Sequence, residues 1–95
     1  MTHDEALPGM DFSTFVLSLS HSAMIQLGLA PHPESEKVEV DLALARQSID
    51  LLAMLEEKTK GNLTGEEERL ISQVLFDLRL RFVECSKRTS HTSKG

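Results

Sequence analysis

The residues of this 95-residue chain best able to do chemistry are four histidines, one cysteine and a run of three glutamates. Zinc or a similar ion needs several His, Cys or carboxylate groups converging at short spacing. His3, His32 and His91 instead fall in a leader, a loop and a tail, and His21 stands alone inside a helix-length segment. Its expected role is that of a partly buried, hydrogen-bonded side chain. A pocket near His21, between the first two helices, is the one place where a small-ligand carrier or an enzyme could be built. Cys85 falls at the end of a helical pattern, where the negative end of the helix dipole raises a thiol pKa, and no oriented base accompanies it. It reads as a structural cysteine. The acidic run Glu66, Glu67, Glu68 follows Thr64, and helix capping explains it without acid–base catalysis. Asn62, Leu63 and Thr64 match a glycosylation acceptor, which has meaning only on a secretory route. No catalytic residue, cofactor or metal site is therefore expected.

The elements that position these residues follow from composition and punctuation. A formal charge of −5 argues against a broad basic surface for nucleic acid, whose affinity comes largely from Lys and Arg neutralising phosphates. A single Cys allows no internal disulfide, which fits a reducing, cytoplasmic setting. Asp4 and Glu5 stand where a secretion signal needs positive charge. Residues 12–30 contain no Asp, Glu, Lys or Arg in a chain that is 26% charged, yet their Ser, Thr, His and Gln make them too polar for confident membrane insertion. Peripheral membrane association through this segment is a further alternative.

The expected organisation is a loose leader over 1–10, one helical domain over 11–85 and a disordered tail over 86–95. Asp11 or Ser13 can cap a first helix over about 12–29, which Pro31 and Pro33 stop. A loop over 31–40 follows, with Val38 and Val40 alternating about Glu39 without amounting to a strand. Asp41 can cap a second helix over about 42–60, closed by Gly61 with Lys58 and Lys60 in its last turn. Thr64 and Glu67 form a capping box for a third helix over about 65–85. Asp77 with Arg81 and Glu84 with Arg88 are spaced to pair along it.

At about 100° per residue, each helix shows more apolar surface than one stripe requires. In the third, Ile71, Val74, Leu75, Leu78 and Phe82 share one face, while Phe76, Leu80 and Val83 lie nearly opposite. The second places Leu42, Ala45, Ile49 and Leu52 on one side and Leu44, Leu51, Met54 and Leu55 on the other. The first has a stripe of Phe12, Phe15, Val16, Leu19, Ala23 and Leu27, with Leu17 and Met24 outside it. Burying one Leu or Phe is worth roughly 1.5–3 kcal/mol, so several left in water favour association. The expected fold is all-α, a three-helix antiparallel bundle completed by homodimerisation. The expected interaction residues are Leu44, Leu51, Leu55, Phe76, Leu80 and Val83. Thr14, Ser18 and Ser22, four residues apart, would also let a neighbouring helix approach, although ordinary solvated positions are the favoured reading and β-branched Thr14 suits close approach least.

The segments DFSTFVLSLSHSAMIQLG (residues 11–28), VDLALARQSIDLLAMLEEKTKGNLT (40–64) and EEERLISQVLFDLRLRFVE (66–84) resemble the bacterial family of unknown function DUF1844. KTKGNLT, after IDLLAMLEEK, is the most specific stretch. The resemblance implies a small helical cytosolic protein with no established activity, and it supplies no catalytic residues. The functional expectation is thus a non-enzymatic interaction or adaptor module, acting as a homo-oligomer or on a protein partner.

Overall fold

The first helix begins where Asp11, held in an extended conformation, accepts a hydrogen bond from the Thr14 amide at 2.7 Å. This satisfies one of the free N–H groups of a helix start. The computed structural model describes residues 11–94, with side chains through residue 88, so the expected leader lies outside the described residues. Within them the chain forms three helices, α1 (Phe12–Gln26), α2 (Leu42–Lys58) and α3 (Gly65–Lys94). The all-α expectation is met, and the only extended pairing among the described residues is an isolated antiparallel bridge between Leu27 and Val40.

Asp41 caps α2 by accepting from Leu44 N–H at 3.1 Å. The capping box of α3 is reciprocal, with Glu67 N–H donating to Thr64 Oγ1 at 3.1 Å and Thr64 N–H donating to Glu67 Oε1 at 2.9 Å.

The helix ends differ from expectation. α1 stops at Gln26, not near Leu29, because Leu29 N–H reaches back to Met24 O at 2.9 Å and Gly28 N–H to Ile25 O at 3.0 Å. This reverse turn needs a left-handed residue, which Gly28 supplies with φ 78°. A Cβ there would sit 2.6 Å from Val40 Cγ2, so the site also demands glycine for space. α2 stops at Lys58, two residues before the expected end, where the Thr59 hydroxyl donates to Leu55 O at 2.8 Å. Gly61, with φ 84°, then turns the chain.

α3 continues to Lys94, beyond the end expected at residue 85 and through most of the tail expected to be disordered. No Gly or Pro occurs from Glu66 through Lys94, and the Ser and Thr residues there each cost only some tenths of a kcal/mol relative to Ala.

The helices run up, down and up. At one pole Asp41 N–H donates to Gln26 O at 2.7 Å, and Ser48 Oγ donates to Gln26 Oε1 at 2.7 Å. There too the Cys85 thiol donates to Leu27 O at 3.4 Å. The end of α1, the start of α2 and the later part of α3 therefore meet. The core they enclose is Val16, Ala23 and Leu27 of the α1 segment, Ala45, Ile49 and Leu52 of α2, and Ile71, Leu75, Leu78 and Cys85 of α3. It contains no fully buried aromatic ring: Phe12 and Phe82 pack against it only in part.

Candidate association surface

α3 presents two apolar faces with opposite fates. Ile71, Leu75 and Leu78 are at most 1% exposed, whereas Phe76, Leu80 and Val83 are 72%, 50% and 48% exposed. The cause is helical spacing. Positions 71, 75 and 78 advance around one side, and 76, 80 and 83, also related by steps of four and three, fall on the opposite side. α1 and α2 both pack on the first side, leaving Phe76 and Leu80 uncovered among the described residues, with Val83 at the edge nearer α2.

The other expected interaction residues divide differently. Leu44 and Leu51 of α2 are 45% and 41% exposed, while Leu55 is half-buried against the core. Five of the six thus lie on the surface, but α2 and α3 do not merge them into one stripe. Phe15, expected in the buried stripe of α1, is 39% exposed, and Met24, expected outside it, packs against the core. Ile25 is 8% exposed although it lies opposite that stripe. It adjoins the place where the returning chain pairs with Gln26 and Leu27. In all, eleven large apolar side chains are exposed among the described residues, as many as the eleven apolar residues that are buried. Isolated exposed apolar residues are ordinary; so high a ratio, with three on one helical stripe, is not.

The outer side of α1 is also distinctive. Thr14, Leu17, Ser18, His21 and Ser22 are all exposed, and none carries a carboxylate, ammonium or guanidinium. His21 is thus solvent-facing, correcting its expected partial burial. The physical reason is that the apolar stripe of α1 occupies the other side.

The chemistry-bearing residues remain dispersed. Among the described residues, two of the surface cavities lie between α2 and α3, away from His21. One, of about 600 Å³, lies at the hairpin end and is lined in part by Glu56, Lys60, Leu63 and Arg69. The other, of about 310 Å³, is lined by Arg46, Ile49, Asp50, Arg79, Phe82 and Val83. Among the described residues no group of three His, Cys, Asp or Glu side chains is placed to hold a metal ion. Glu67 is engaged in its capping box. Cys85 is 5% exposed and bonded to the Leu27 carbonyl. Because α3 runs on to Lys94, Cys85 does not mark a helix end as expected, and its limited access comes from burial instead.

The surface electrostatics are local. Arg81 Nε donates to Asp77 Oδ2 at 2.8 Å, the expected pairing, and Arg46 lies 3.6 Å from Asp50 on α2. Such exposed pairs contribute little to stability. Asp11 has its carboxyl held below the ordinary range, chiefly by the Thr14 amide and then by its hydroxyl. No helix among the described residues is long and apolar enough to cross a membrane.

These features define a small three-helix protein with a thin core and exposed apolar side chains on its helices, without an assembled catalytic constellation among the described residues. The chain belongs to the DUF1844 family, described as a domain of unknown function, whose family model matches residues 9–84. No curated protein and no solved structure matches it.

Proposed function

We propose that this protein is a non-enzymatic helical association module that self-associates through its exposed apolar helix faces. The observation that carries this reading is the stripe of Phe76, Leu80 and Val83 on α3, opposite the buried face of the same helix. A chain of this size encloses little apolar volume, and association is a common way to complete such a core. A twofold dimer suits the purpose, since one self-complementary patch then covers both copies. The bacterial, cytoplasmic setting implied by the family resemblance belongs to the same reading. The net charge of −5 and the single reduced cysteine are consistent with it.

The test is Leu80→Glu, a change at a half-exposed position that places a charge in the stripe without entering the core. The expected result is conversion of an oligomer to a folded monomer in sedimentation equilibrium, with helical circular dichroism retained. An unchanged assembly mass would overturn the assignment of this stripe.

A further inference from the structure

We propose that the 310 Å³ cavity between α2 and α3 binds a small monocarboxylate with an apolar tail, its carboxylate held by Arg79 and Arg46 and its tail lying on Ile49, Phe82 and Val83. These five side chains line the cavity together with Asp50. The site stands apart from the self-association reading, since only Val83 is common to the cavity and the α3 stripe.

Arg79 is set among apolar neighbours. A helical guanidinium is commonly answered by a carboxylate three or four residues away, as Arg46 is by Asp50 and Arg81 by Asp77. The four such positions around Arg79 are Leu75, Phe76, Phe82 and Val83. Among the described residues its guanidinium has no hydrogen-bond or ion-pair partner. Arg46 and Asp50, on the α2 side of the same cavity, lie 3.6 Å apart and offset each other. Two guanidinium groups and one carboxylate leave one positive charge uncompensated there, in a chain whose net charge is −5. A single negative charge balances it, whereas a doubly charged anion carries an excess that faces Asp50.

The apolar lining selects the rest of the ligand. Ile49 is buried, Phe82 is half-buried against the core, and exposed Val83 stands at the edge. An inorganic anion leaves this wall wet, while an alkyl or aryl chain removes it from water. Small-molecule sites span about 300–1,000 Å³, so a recess of 310 Å³ admits only a short ligand. A guanidinium meets a carboxylate through two parallel N–H···O bonds, which recognise the head group by geometry as well as by charge.

The deciding experiment titrates the full isotope-labelled chain with octanoate, octanol and acetate and follows the backbone amides by NMR. The expected result is saturable movement of the Ile49, Phe82 and Val83 amides with octanoate, weaker binding of octanol, and no saturable movement with acetate. Arg79→Gln is expected to weaken octanoate about two- to fivefold, the range of an exposed ion pair, and to leave octanol unchanged. Asp50→Asn removes the one negative charge at the cavity and should strengthen octanoate. Lys58→Gln makes the same change in net charge as Arg79→Gln but lies outside the cavity, and it should leave octanoate binding as it was. All three substituted residues are exposed, so the variants are expected to keep the spectrum of the folded chain. Absence of saturable shifts with octanoate, or equal binding of octanol, would overturn the proposal. Equal weakening by Lys58→Gln would reduce the effect to general charge attraction and overturn it too, as would shifts centred on other residues.

Discussion

The two faces of α3 use the same residue types to opposite effect. Leu75 and Leu78 are 1% exposed, and Leu80, a short step along the same helix, is 50% exposed. Hydrophobicity alone does not decide which leucine forms the core; the decision belongs to what α1 and α2 place against each side. The inner face holds this chain together, and the outer face is available to hold two chains together. That division gives single substitutions distinct signatures.

The largest effect is expected on the inner face. Leu75→Ala should lower unfolding free energy by about 2–5 kcal/mol, measured by urea denaturation, because a fully packed side chain leaves a cavity. On the outer face, Leu80→Ala should change the stability of the isolated chain by no more than about 0.5 kcal/mol. It should also reduce the dependence of Tm on protein concentration, since association stabilises by mass action. Equal effects at both positions would erase the distinction between the faces.

Smaller changes examine how the inner face is positioned. Gly28→Ala should cost about 1–2 kcal/mol by thermal or urea denaturation, because a left-handed backbone penalises any Cβ. Gly61→Ala should cost less. Its backbone is similarly left-handed, but an added Cβ there meets no atom within 4 Å, whereas at Gly28 it meets Val40. Thr64→Ala should remove about 1 kcal/mol through loss of the cap of α3, the element that carries both faces.

The smallest expected effect is on pH. The carboxyl of Asp11 is held below its ordinary range by the Thr14 amide and hydroxyl, so its contribution is full above the unfolded value of 3.8. It is lost as pH falls through the lower folded value. Acid titration of Asp11→Asn should show a shallower decline over that window than the parent does.

Much of the local structure was legible because each signal depends on a few residues at fixed spacing. Asp11, Asp41 and the Thr64–Glu67 pair all cap as their positions suggest. The end of α1 precedes the expected one because Pro31 marks where a helix cannot continue, while Gly28 marks where this one turns away. The extent of α3 was hidden because a polar tail composition resembles disorder, although it contains no residue that breaks a helix.

On α3 the helical wheel separated the inner and outer faces fully. On α2 it could not tell that Leu55, on a flank, would be partly covered by neighbouring helices. The exposure of His21 has a related cause: it lies opposite the buried stripe of α1, on an uncharged side that faces solvent. What covers each side depends on the packing of distant segments, which periodicity within a single helix does not encode.

The central claim is that the outer face of α3 joins two copies of this chain. Its most direct test is the mass of the purified protein by light scattering over a wide concentration range. The account predicts a species of twice the 10.6 kDa chain mass that dissociates only on dilution. A folded monomer at every concentration would contradict it.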